Sequence, residues 1–211
     1  MRRFDTAIPG DLLRLMQPAL EEYTWRGVSM IKSPFDLALY SKLLWDLRPA
    51  TIFEIGSYKG GSALWFGDML DAFDIDGRIL SYDLAAIWRP DHPRVTFRFA
   101  DGRALWRHIK SALHLPHPWL VVEDADHTYD TTYSVLDFFH THLDPGDWVV
   151  VEDANLTQIY PEHGMSGPHR ALGKFLSEHR TVYRVAEEYC DYFAPNATTA
   201  VNGWLERTPH A

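Results

Sequence analysis

From residue 50 onward the chain alternates short apolar runs with amphipathic stretches, and this rhythm constrains the fold more than any other feature. Ala50–Ile55, Arg78–Asp83, Arg94–Phe99, Trp119–Glu123 and Trp148–Val151 read as strands, because they are short, apolar and rich in β-branched and aromatic residues. Gly61–Ala72, Gly102–Leu113 and Asp130–His142 read as the helices between them, and Pro145-Gly146 as a turn. Strand and helix in regular alternation predict a mostly parallel sheet with helices on both faces. The rhythm then changes. His169–His179 reads as a helix, and Thr181–Tyr189 and Thr199–Glu206 as two strands with no room for a helix between them, so an antiparallel pair is expected at the end of the sheet. Residues 1–48 predict two helices broken over Tyr23–Pro34, a segment placed to form a lid or a wall of a site. The expected organisation is therefore an N-terminal helical and lid segment, 1–48, packed on an α/β domain, 49–211, within one structural domain.

Composition excludes several classes. A formal net charge of −9 over 211 residues argues against a nucleic-acid partner, which needs clustered Lys and Arg. No run approaches the roughly 20 apolar residues of a membrane helix, so no membrane partner is expected. The single cysteine, Cys190, cannot form an internal bridge, and residues 1–20 carry charges where a signal peptide would be apolar; a reducing, cytoplasmic location follows as an expectation.

The loop Glu54–Ser62 lies at the end of the first buried strand and opens a helix, where open α/β sheets gather their ligands. Its glycines, Gly56, Gly60 and Gly61, permit close backbone approach and positive φ, while the helix start offers free N–H groups. The spacing lacks the middle glycine of a dinucleotide fingerprint. Glu54 suits a cationic ligand end, such as an amino group, and Ser57, Tyr58 and Ser62 complete the loop. Asp83 ends the second strand, where an acid binds ribose hydroxyls, and Asp101-Gly102 follows the third, where an adenine edge would sit. Each acid alone reads more often as a helix cap. In strand order they point to an adenosine-bearing ligand. Lys32, Tyr58 and His163 are further candidates near the mouth, and Gln158–Gly167 is a candidate flap.

Acids also concentrate at the next two strand ends, Glu123-Asp124-Ala-Asp126-His127 and Glu152-Asp153. Neighbouring strands would bring these carboxylates together, and a hard divalent cation, Mg²⁺ or Mn²⁺, is the natural compensation. Side chains alternate along a strand, so Glu123 and Asp124 cannot both face the site. Asp124, Glu152 and Asp153 are the expected metal ligands. His127 is the expected base, since an imidazole can take a proton from a substrate hydroxyl.

These residues resemble the cephalosporin hydroxylase family of class I methyltransferases, related to the metal-dependent O-methyltransferases of macrolide sugars. The likeness begins at Trp25–Asp36, similar to that family's W-x-G…K-x-P-x-D segment. It runs through Glu54-Ile-Gly56, Gly60-Gly-Ser62, Asp124-x-x-His127, Pro145-Gly146 and Glu152-Asp153 to Asn202–Arg207. It implies a seven-stranded Rossmann-like sheet with S-adenosylmethionine over the first three strands. Lys32, Glu54, Gly56, Ser57, Tyr58, Gly60, Ser62, Asp83, Asp101 and Asp124 would then line the cofactor. It also implies a divalent metal on Asp124, Glu152 and Asp153, His127 as base, a hydroxylated small natural product or sugar as substrate, and a homo-oligomer. Ala154 departs from the family's usual Thr. The catechol-type methyltransferases differ in their Asp, Asp, Asn metal set and in carrying Lys where His127 stands. A non-catalytic S-adenosylmethionine-binding protein would not need the intact acid and histidine set.

Overall fold

The computed structural model describes residues 2–85, 89–160 and 167–209. Helix α1 (Gly10–Glu22) leads into a short hairpin, β1 (Thr24–Trp25) and β2 (Val28–Ser29), and then α2 (Pro34–Leu47), which Ser33 caps at its N-terminus. The main body follows as β3 (Thr51–Ile55), α3 (Gly61–Ala72), β4 (Arg78–Asp83), β5 (Val95–Phe99), β6 (Trp119–Glu123), α4 (Tyr129–His140) and β7 (Trp148–Val151). The chain closes with α5 (Leu156–Ile159), α6 (Gly167–Glu178), β8 (Tyr183–Val185), α7 (Glu187–Cys190) and β9 (Trp204–Arg207).

The seven main strands form one sheet in the order β5-β4-β3-β6-β7-β9-β8, with β9 antiparallel to both β7 and β8 and the rest parallel. This is the expected sheet, including its antiparallel end. β3, β6 and β7 are buried at every position, as parallel strands covered on both faces require. Alternation sorts their side chains. Phe53, Ile55, Val121 and Val151 enter one core with Val135 and Phe139 of α4; Ile52, Leu120, Val122 and Val150 enter the other with Tyr40 of α2 and Phe66 of α3. The chain leaves β3 toward β4 on one side and returns to β6 on the other, so a crevice opens at the carboxyl ends of β3 and β6.

Three expectations need correction. The strand expected over Thr199–Glu206 is confined to β9, because Thr198 and Thr199 turn to hydrogen-bond Asp36 and Asn202 adopts left-handed backbone (φ 53°). Gly102–Leu113 is not an α-helix but two 3-10 turns, Gly102–Arg107 and Lys110–Ala112, because Ala104 (φ −141°, ψ 36°) leaves helical geometry. Leu105, Ile109 and Ala112 are still buried as their helical spacing required, so the apolar pattern was satisfied by a tighter backbone. The stretch Thr181–Tyr189 is a strand only over β8, and α7 does fit between β8 and β9: burial of Tyr189 and Cys190 draws the segment back onto the sheet.

Candidate active site

The carboxyl ends of β3, β4, β6 and β7 open into a cleft of about 350 Å³, within the range usual for small-molecule sites. Of the residues singled out by sequence, Lys32, Gly56, Ser57, Tyr58, Ser62, Asp83, Asp101, Asp124, His127 and Asp153 line it. Glu54, Gly60 and Glu152 are not among the described residues lining the cleft. His163 and most of the Gln158–Gly167 candidate flap lie outside the described residues.

The glycines of the β3–α3 loop make room for protein rather than ligand. A Cβ on Gly56 would lie 1.9 Å from the Asp124 carbonyl oxygen, and one on Gly61 would lie 2.2 Å from the Ser29 carbonyl. Gly56 therefore locks β3 to the end of β6, and Gly61 lets the β1–β2 hairpin lie over the start of α3. Glu54 is fully buried beneath the cleft and accepts hydrogen bonds from Ser62 (2.5 Å) and Ser81. Burial raises its pKa, although Lys32 and the two serine hydroxyls oppose the shift.

Asp83 stands at the end of β4 as expected, where one oxygen accepts the Tyr58 N–H (2.7 Å) and the other the Ala85 N–H (2.8 Å). Asp101 caps the following turn by accepting the Arg103 N–H at 2.9 Å. Both acids thus do a helix-cap or loop-holding job while lining the cleft. Sequence reasoning missed Tyr82. It lines the cleft, is 1% exposed, and its buried hydroxyl has no hydrogen-bond partner among the described residues. A strand tyrosine beside an acid carries no sequence signal that sets it apart from core.

At the ends of β6 and β7 the acids divide by strand parity. Glu123 turns into the α4 side, fully buried, and burial pushes its carboxyl up to about 7. Asp124 turns to the opposite face and places its two oxygens in different company. Oδ2 accepts from the Lys32 ammonium at 2.5 Å, and Oδ1 lies 3.3 Å from His127 Nε2. Burial opposes the Asp124 charge, but Lys32 and His127 outweigh it and hold this carboxyl below the usual range. Glu152 shares Lys32 at 2.7 Å and accepts the Tyr40 hydroxyl at 2.7 Å. Its burial, with Asp124 and Asp153 near, drives its pKa up despite Lys32.

Asp153 and His127 both adopt left-handed backbone, φ 56° each, a conformation that Asp and His tolerate better than most residues but that still costs energy. The turn re-aims both side chains, and His127 Nε2 lies 2.9 Å from Asp153 Oδ2. Local contacts hold His127 in place. Asp126 accepts the Thr128 N–H and hydroxyl, Thr128 caps α4, and Gly167 packs so tightly on the His127 carbonyl that a Cβ would lie 2.1 Å from it. Ligand atoms of Asp124, His127 and Asp153 all lie within 4.8 Å of one another. The geometry thus groups His127 with Asp124 and Asp153, whereas sequence grouped Glu152 with them; Lys32 and Tyr40 account for the difference. Burial disfavours the imidazolium, but Asp124 and Asp153 raise the His127 pKa to about 11.

A family model described as rhamnosyl O-methyltransferase/CmcI matches residues 17–208. The rhamnosyl O-methyltransferase of Mycobacterium leprae is 28% identical over 235 residues, covering 98% of each chain. A solved structure of CmcI without ligand is similar to this one with a TM-score of 0.74 and 27% identity, over 90% of this chain and 77% of that one. A CmcI structure with magnesium and S-adenosylmethionine gives 0.71 and 26%, over 90% and 78%. Among the described residues no helix is long and apolar enough to cross a membrane.

Proposed function

This chain belongs to the rhamnosyl O-methyltransferase/CmcI family of S-adenosylmethionine-dependent enzymes, and we propose that it methylates a hydroxyl of a sugar or sugar-bearing natural product at the Asp124–His127–Asp153 cluster. That cluster, on the floor of a cleft lined by Asp83 and Asp101, is the observation that carries the reading. The sugar is inferred from the mycobacterial relative's name, and rhamnosides are the first acceptors to test.

The residues fit the cofactor. The orphaned Tyr82 hydroxyl is a buried donor that lacks a partner among the described residues, the kind of group a ligand satisfies. Asp83 has oxygens suited to ribose hydroxyls, and Asp101 and Gly102 line the cleft where an adenine edge would sit. The residues also fit a hard divalent ion, Mg²⁺ or Mn²⁺. Asp124 and Asp153 offer carboxylate oxygens, and Glu152 a further carboxylate once freed from Lys32. Such an ion supplies Lewis acidity that lowers the pKa of a hydroxyl held beside it, and S-adenosylmethionine supplies an electrophilic methyl group.

The chain's own residues do the rest. Asp124 and Asp153 both face His127 Nε2 and orient the ring. His127 Nε2 takes the proton of the acceptor hydroxyl, whose oxygen bonds to the methyl carbon as the carbon–sulfur bond breaks and its electron pair leaves on sulfur. His127 can act so only when neutral, and the two acids that raise its pKa to about 11 act against that. A divalent ion held by those acids would weaken their hold on the His127 proton. The cleft walls position the reactants in line, and positioning supplies much of the rate.

The test is His127→Ala with a panel of rhamnosides and Mg²⁺. Turnover should fall at least about 100-fold, the usual worth of a general base, while S-adenosylmethionine affinity by calorimetry stays within about twofold. Equal loss of cofactor binding would remove the base role, and full activity in chelator would remove the metal.

A further inference from the structure

Lys32 has contacts that this reaction does not use. Its ammonium lies 2.5 Å from Asp124 Oδ2 and 2.7 Å from Glu152 Oε1, with the side chain 3% exposed. Lys32 nonetheless lines the cleft, on the short segment between β2 and α2 that follows the hairpin over α3. An ammonium held between two carboxylates takes up the oxygens that a divalent ion would use, and two cations that close repel strongly where water is scarce.

A second observation concerns the charge of the cleft lining. Among the described residues lining it, Lys32 is the only lysine or arginine, against Asp83, Asp101, Asp124, Asp126 and Asp153. S-adenosylmethionine carries a carboxylate at its amino-acid end. In so acidic a cleft that carboxylate calls for a cation, and the one lysine of the described lining residues, Lys32, is held by Asp124 and Glu152.

We propose that Lys32 is a tethered cation that trades places with the divalent ion. In the metal-free enzyme it neutralises Asp124 and Glu152; when the ion takes those oxygens, the ammonium turns into the cleft and pairs with the cofactor's carboxylate. This rests on the methyltransferase reading above and adds to it a coupling between the two ligands. The exchange leaves no buried acid without a partner, which would be costly. Glu152 accordingly has two states: Lys32-bound in the structure, and free to join Asp124 and Asp153 on the ion. Because one ammonium links both sites, Mg²⁺ must tighten cofactor binding and the cofactor must tighten Mg²⁺ binding by the same factor.

The experiment is calorimetry of wild type and Lys32→Met with Mg²⁺, with S-adenosylhomocysteine, and with 5′-methylthioadenosine, which lacks the amino-acid end. In wild type, Mg²⁺ should tighten S-adenosylhomocysteine by about tenfold, a typical coupling, and leave methylthioadenosine unchanged. Lys32→Met should bind Mg²⁺ more tightly than wild type and lose the coupling. Weaker or equal Mg²⁺ binding by the variant, or coupling that survives in it, overturns the exchange. Wild type that binds neither Mg²⁺ nor S-adenosylhomocysteine overturns the functional reading itself. Acetic anhydride labelling of wild type needs no variant to fold: Lys32 should be unreactive alone, reactive with Mg²⁺, and protected again with S-adenosylhomocysteine. Lys32 that stays unreactive with saturating Mg²⁺ overturns the proposal.

Discussion

Gly56→Ala tests whether the cleft depends on the contact between β3 and β6. The added Cβ would lie 1.9 Å from the Asp124 carbonyl oxygen, so the two backbones must part by about 1.5 Å to restore ordinary contact. Three costs follow. Gly56 has φ 109°, and an L-residue held at positive φ costs about 1–2 kcal/mol. Parting the strands stretches the Asp124 N–H bond to the Ile55 carbonyl, 2.9 Å long, which is worth about 1 kcal/mol. Overpacking of a backbone contact adds about 1–3 kcal/mol. The expected loss is about 4 kcal/mol, or about 8–16 °C in Tm for a chain of this size. The same shift moves Asp124 away from Lys32 and His127, and a displacement of about 1 Å in a catalytic group costs about 100-fold in kcat. Urea unfolding monitored by tryptophan fluorescence, with initial rates on the accepted substrate, measures both. Stability within 1 kcal/mol of wild type together with unchanged kcat would refute the reasoning.

Two further substitutions probe other links. The buried Glu123 carboxyl is raised to about 7, so its contribution to stability is full below the ordinary value of 4.5 and is lost as pH rises through about 7. Glu123→Gln removes that slope, and the variant should gain Tm relative to wild type on going from pH 5 to pH 8; the same difference at both pH values would contradict the assignment. Asp36 is buried and accepts hydrogen bonds from Thr198, from the Thr199 hydroxyl (2.6 Å) and from the Thr199 N–H (3.1 Å), tying α2 to the segment before β9. Asp36→Ala should cost about 3 kcal/mol by denaturant unfolding while leaving Mg²⁺ affinity unchanged; an unaltered stability would show the tie to be idle.

The sheet was legible because its signal is local. Five parallel strands announced themselves as short apolar runs, and each falls within a residue of its expected bounds. Two of the misread segments share a cause. Over Gly102–Leu113 and Thr181–Tyr189 most of the apolar residues are buried, but a buried face can be met by a 3-10 turn or a short helix as readily as by the longer element. Choosing among them depends on what packs opposite. Gly102, whose missing Cβ would meet Thr131 of α4 at 2.7 Å, owes its conformation to a residue 29 positions away.

Inside the site the same division holds between what strand parity fixes and what distant side chains decide. Parity alone sends Glu123 to one face and Asp124 to the other, and that separation was readable from the alternation of the strand. By parity too, Glu152 follows Val150 onto the Asp124 face, while left-handed backbone at Asp153 turns the next acid toward the cleft. Whether Glu152 then serves an ion or an ammonium is settled by Lys32 and Tyr40, which are 120 and 112 residues away in sequence and carry no local mark of that role. A lysine before a helix reads as a solvated charge. Only when the hairpin is laid over α3, through the gap that Gly61 leaves for the Ser29 carbonyl, does the ammonium meet the two acids. The chemistry of the acids was thus written beside them, and their partner was written in a lid whose position depends on a glycine.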